Sequence, residues 1–175
     1  MPDDLRIFTD RAIPVSFDTR GYRFCRGGRG ILHTPVEANL HLVYAKGREK
    51  ILLLRVSDLE GKVRIDTPGQ ALEFVRLFSA PDTHYFFPDY PYMEPRKGGE
   101  QTGPGEYTPS YAAKMNLAGP AAGREGGAFI VERNLLDRQN RLFRSREHVG
   151  PDGHYALDHV QIIDARSPIS YPLYQ

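Results

Sequence analysis

The chain has 175 residues, a formal charge of +1, 26% charged and 40% hydrophobic residues, and a single cysteine. That balance is globular, supplies no overall field toward nucleic acid or an anionic membrane, and leaves no apolar run near the roughly 20 residues a bilayer-spanning helix needs. Cys25 has no partner for an internal disulfide, which together with the polar start Met1-Pro2-Asp3-Asp4 sets the expectation of a cytoplasmic protein. We expect one domain over 1–175, interrupted by an irregular Pro/Gly/Tyr-rich segment at 81–107.

Between Ile7 and Phe24, apolar residues (Ile13, Val15, Phe17, Tyr22, Phe24) alternate with others, as in one or two strands. Arg20, Arg23, Arg26 and Arg29 follow at three-residue spacing among glycines. An extended backbone with three residues per turn would place all four on one side and suit phosphate contacts. The near-zero net charge favours a solvated loop instead, so nucleic acid is not the expected partner. Thr34-Pro35-Val36-Glu37 has capping form, but Leu40, Leu42 and Tyr44 alternate as a strand does. Lys46-Gly47 suits a hairpin turn, and Ile51-Leu52-Leu53-Leu54 reads as a run buried on both faces, suited to the middle of a sheet. Asp58-Leu59-Glu60-Gly61 marks another turn, and Lys62 to Ile65 is expected to return as a strand.

The clearest local signal is Thr67-Pro68-Gly69-Gln70. A threonine cap, proline at the first helical position and glutamine three residues after the cap form a capping box. Ala71, Phe74, Val75 and Phe78 then recur at helical spacing, predicting a main helix from Pro68 to Phe78. After Pro81 come Tyr85, Phe86, Phe87, Tyr90 and Tyr92, too rich in proline for regular sheet. We expect this aromatic stretch to be extended and packed down, with Tyr85, Tyr90 and Tyr92 as candidate ligand contacts. Thr108-Pro109 predicts a second short helix, Pro109 to Ala118.

From Phe129 to Asp164 the spacing predicts a three-stranded meander. Gly150-Pro151-Asp152-Gly153 is a hairpin turn with Gly153 left-handed. It sets Val149 opposite Tyr155, Glu147 opposite Leu157 and Ser145 opposite His159. A second turn at Asp137–Asn140 sets Leu135 opposite Phe143, Arg133 opposite Ser145 and Phe129 opposite Val149. One face is then apolar (Phe129, Val131, Leu135, Phe143, Val149, Tyr155, Leu157, Ile163). The other carries Glu132, Asn134, Arg144, Arg146, His148 and Asp158. On the apolar face, Arg133, Ser145 and His159 form a polar row, with Glu147 diagonal to His159 and Gln161 beside it.

The expected fold is therefore α+β: a curved antiparallel sheet of about six or more strands in two meanders, with the main helix packed on it. The expected function is a non-catalytic module that binds a protein partner or small ligand through the aromatic stretch and a cavity between helix and sheet. The competing reading is a small cofactor-free enzyme (isomerase, lyase or hydrolase class). In it His159 and Glu147 form an acid/base pair beside Ser145, Arg133 binds an anionic group, Gln161 is a further ligand contact, and no cofactor is required. His148, His154, Asp158 and His159 are close in sequence but fall on different faces of this register, so no metal is expected. Cys25 with His33 or His41 is a further thiol–base candidate, weighed against a small core residue. A homo-oligomer is compatible with the sequence; membrane insertion is not expected.

Overall fold

The computed structural model describes residues 5–7, 12–29, 41–53, 56–77, 94–95, 106–107, 109–136 and 141–168. Their fold is α+β, with two meanders and two helices as expected. The N-terminal sheet runs β1 (Leu5–Ile7), β2 (Arg23–Arg29), β3 (His41–Lys46), β4 (Glu49–Leu53), each antiparallel to the next. Helix α1 (Pro68–Leu77) follows, then a short parallel pair, β5 (Glu94–Pro95) with β6 (Glu106–Tyr107), and helix α2 (Pro109–Met115). The C-terminal sheet comprises β7 (Ala121–Glu125), β8 (Ala128–Leu136), β9 (Leu142–Val149) and β10 (Tyr155–Asp164), in the order β10-β9-β8-β7. The two meanders are thus two sheets rather than one continuous surface.

Three N-terminal expectations change. The arginine–glycine stretch is not a loop: residues 23–29 are a pleated strand paired on both edges, and a two-residue period cannot keep three-residue spacing on one side. β4 ends its sheet instead of sitting in its middle; Leu53 is nonetheless buried, in one cluster with Val56 and Leu59 of the 3-10 turn Val56–Leu59. Lys62 to Ile65 does not add a strand. It makes a single bridge, Asp18 to Arg64, while Gly61 and Ile65 donate backbone hydrogen bonds to the carbonyls of Asp152 and Pro151, at 2.8 Å each. That segment ties the N-terminal strands to the C-terminal hairpin turn.

Both sheets and α1 feed one hydrophobic core. Phe24, Tyr44 and Leu53 come from the first sheet, Ala71, Phe74 and Val75 from α1, and Phe129, Val131 and Val149 from the second. Phe17 joins them edge-on, its ring 5.9 Å from Phe24 and 5.7 Å from Phe74. Tyr44 is fully buried, and its hydroxyl lies 2.7 Å and 2.6 Å from the carbonyls of Thr19 and Lys62. Burial disfavours the phenolate, outweighs the opposing charge of Arg20 and raises Tyr44 to about 12.

The caps work largely as the sequence implies. Gln70 donates its backbone N–H to Thr67 Oγ1 at 3.2 Å, and its side-chain oxygen accepts from the amide of Asp66 at 2.7 Å, one residue earlier than a standard box. Its Nε2 donates to the Ser16 carbonyl, and Glu73 receives both the amide and the hydroxyl of Ser16, so the first turns of α1 are pinned to the N-terminal segment. Helix α2 ends earlier than expected. Asn116 takes a left-handed conformation (φ 50°), Leu117 N–H bonds to Ala112 O, and Asn116 N–H bonds to Ala113 O. That is a Schellman stop, closed by contact between Leu117 and Ala112 on Leu142.

Gly153 has φ 85°, and a Cβ placed there would lie 2.5 Å from Val63 Cγ2 and 3.2 Å from Leu59 O. Gly153→Ala should therefore destabilise by on the order of 2 kcal/mol or more, from left-handed strain plus overpacking; a lower urea midpoint with unchanged slope is the expected result. A second expectation concerns alkaline pH. Tyr44 and Tyr111 are both raised by burial to about 12. The fold favours their neutral forms, so this contribution is intact below about pH 10 and is lost between about 10 and 12. At about pH 11, absorbance at 295 nm should leave at least two of the 10 tyrosines protonated until urea unfolds the chain.

Candidate functional site

The C-terminal meander carries the candidate residues, and its register decides which of them meet. β8 and β9 pair as the turn analysis requires: Phe129 with Val149, Arg133 with Ser145, Leu135 with Phe143. The hairpin to β10 also holds at its start, with Val149 opposite Tyr155 and Glu147 opposite Leu157. The register then slips. A bulge between Leu157 and His159 sets His159 opposite Arg146 and Val160 opposite Ser145. The extra residue moves His159 and Gln161 to the outer face, where both are exposed. The expected row Arg133–Ser145–His159 does not exist, and Glu147 is not diagonal to His159.

What remains on the inner face is closed. Arg133 and Glu147 are completely buried and paired through two parallel bonds, Nε to Oε1 at 2.6 Å and Nη2 to Oε2 at 2.9 Å. Ser145 donates to Glu147 Oε1 at 2.6 Å, and the Tyr155 hydroxyl lies 3.2 Å from Oε2. Each carboxylate oxygen thus receives two donors, which fills its lone pairs. Arg133 Nη1 spends its remaining reach on the Val75 carbonyl at 2.9 Å, one of the last carbonyls of α1 that the helix itself leaves unpaired. A base needs a free lone pair within reach of a substrate proton, and an anion-binding arginine needs an exposed fork. These groups have neither. Among the described residues, Ala71, Phe74, Val75, Phe129, Val131, Arg133 and Glu147 meet between α1 and the sheet, each at most 1% exposed.

The outer face is chemically busier than the sequence suggests. Arg146 sits among Glu125 (2.5 Å), Asp158 (3.2 Å) and Glu132 (3.5 Å), Arg144 bonds Glu132 at 2.7 Å, and His148 lies 3.4 Å from Asp158. The Arg144 hydrogen bond is the main reason the Glu132 carboxyl is held below its usual range. Beside this network lies an open groove of about 320 Å³, lined along the whole of β7 and by Ile130, Glu132 and Arg146. The bulge brings His159 to the face that carries His148 and Asp158. Even so, among the described residues no three His, Cys, Asp or Glu side chains are placed to hold a metal ion. At the far end of this face, α2 covers Leu142 together with Ile163, so Ile163 leaves the apolar face expected for it. Asn134 on this face is buried, its Nδ2 donating to Ala118 O at 2.9 Å.

Cys25 is fully buried in β2, the small-core alternative of its sequence reading. Tyr85, Tyr90, Tyr92, His33 and the turn at 137–140 lie outside the described residues. Sequence reasoning missed β7 and the groove beside it, although Gly126-Gly127 between Glu125 and Ala128 was a legible two-residue hairpin turn, and Gly126 takes φ 58°. The chain matches no protein-family model, and no curated protein or solved structure matches it.

Removing one member of the buried pair strands the other without water. Arg133→Met or Glu147→Leu alone should destabilise by about 3–5 kcal/mol, whereas the double substitution should cost clearly less than the sum. Urea unfolding of the four proteins measures this; additive losses would mean the two groups do not depend on each other.

Proposed function

We propose that the chain is a non-catalytic binding module that receives a protein partner on the outer face of its C-terminal sheet, at the groove beside β7. The aromatic segment with Tyr85, Tyr90 and Tyr92 remains a second expected contact. One observation carries this reading: among the described residues, the expected acid–base pair is split, with Glu147 sealed in the core and His159 on the outer face, whereas the groove is an open recess with mixed lining. Small residues on β7, Ala121 and Gly123, leave room above Ile130, and Glu125, Glu132 and Arg146 supply charges at its walls. An apolar floor inside a polar rim is the usual build of a protein contact.

A displayed random-peptide library selected on the intact chain tests this. Gly123→Glu is a suitable blocking variant, because a Cβ at Gly123 meets nothing within 4 Å and the fold should tolerate it. The dominant selected peptides should bind Gly123→Glu about tenfold or more weakly and His159→Gln as well as the native chain. Peptides that ignore Gly123→Glu would overturn the assignment of the groove.

A further inference from the structure

We propose that the partner enters as an extended strand that hydrogen-bonds to the outer edge of β7, adding a fifth strand to the C-terminal sheet. This rests on the reading of the groove as the contact surface and names what fills it. β7 ends the order β10-β9-β8-β7, so among the described residues its outer backbone groups have no strand to pair with. An unpaired ladder edge is itself a recognition element, complementary to any extended backbone.

The two edges of this sheet are built differently, and the contrast favours β7. β10 is long, but register shifts at Leu157/His159 and Ile162/Asp164 bend it, and Asp158, His159 and Asp164 lie along it. Bulges and charges of this kind discourage pairing. β7 pairs with β8 without a shift over all its residues, Ala121 to Glu125. It has no proline, and its first three residues, Ala121, Ala122 and Gly123, carry almost no side chain to obstruct an incoming backbone. Helix α1 packs behind it as it does behind β8, so the template is held in place before anything binds. A preformed edge reduces the ordering cost of association.

The lining also constrains the guest's side chains. Ala121, Gly123 and Glu125 share the outer face with their neighbour Glu132, since alternate residues of a strand point the same way. A guest residue opposite Gly123 overhangs Ile130 and should be apolar. The residue two positions along then stands opposite Glu125 and should be basic. A second copy of this chain fits poorly: two-fold antiparallel pairing of β7 about Gly123 would set glycine against glycine and place no side chain in the groove over Ile130. The occupant is therefore an extended segment of a different protein, with an apolar and a basic residue two apart.

The probe is the capped octapeptide Thr-Val-Thr-Leu-Thr-Lys-Thr-Val, with two analogues N-methylated at alternate residues and one with the leucine replaced by aspartate. Bound to the intact chain, it should slow amide exchange within residues 121–125. One N-methylated analogue should bind about tenfold or more weakly and the other nearly normally, because only one edge of the peptide pairs; the aspartate analogue should also lose about tenfold. Groove-dependent binding without β7 protection, or with equal tolerance of both N-methylated forms, would overturn strand addition while leaving the groove as a contact surface. Failure of the octapeptide and of every library peptide to depend on Gly123 would overturn both. A concentration-dependent dimer abolished by Gly123→Glu would show the occupant to be a second copy and refute the assignment to a different protein.

Discussion

The salt bridge between Arg133 and Glu147 is the constraint around which the rest of the molecule is arranged. Two unit charges without water are tolerable only when every hydrogen-bonding position is met. Here Ser145 and Tyr155 complete the carboxylate, and the end of α1 gives the third guanidinium nitrogen, Nη1, its acceptor. Because one arginine spans the sheet and the helix, the angle and register of α1 on β8 and β9 cannot drift without breaking several bonds together. Apolar packing alone is less particular: Ala71, Phe74 and Val75 could slide over Phe129 and Val131 at small cost, whereas the Val75 carbonyl has one position relative to Arg133. The helix is fixed at its other end by Glu73 and Gln70 on Ser16. A ten-residue helix, marginal in isolation, is thereby held at both termini by polar contacts and along its length by burial.

The same arrangement separates the two faces of the C-terminal sheet by role. On the inner face, Arg133 and Glu147 are bonded to each other and to Ser145, Tyr155 and the Val75 carbonyl, all within the core. The outer face holds its charges in partly exposed pairs, each contributing little to stability. Such pairs can be rearranged cheaply, whereas the buried pair cannot.

Much of this was legible in the amino-acid order, and the failures are instructive. Thr67-Pro68-Gly69-Gln70 announces α1, and Gly150-Pro151-Asp152-Gly153 fixes the hairpin, because both depend on short-range backbone geometry. The pairing of β8 with β9 followed from turn position and apolar alternation together. The bulge in β10 was misread. A polar interruption at His159 and Gln161 beside apolar Val160 and Ile162 looked like a row of functional groups, whereas one inserted residue accounts for it. Arg23 to Arg29 is a strand despite its glycines because β1 and β3 supply hydrogen bonds on both sides, a tertiary gain that local propensity does not contain. β7 was overlooked because Ala121, Ala122 and Gly123 have no alternation to detect.

The hydrogen bonds from Gly61 and Ile65 to Asp152 and Pro151 have a kinetic meaning. They join stations some 90 positions apart along the polymer, so neither station can close its bonds until the intervening chain has been gathered in. The loop-closure entropy is committed before these contacts return any enthalpy, which places this clasp among the late events of folding. Once shut, it couples the opening of the last hairpin to that of the first sheet, so the two ends of the polypeptide should lose their order as one cooperative unit rather than in sequence.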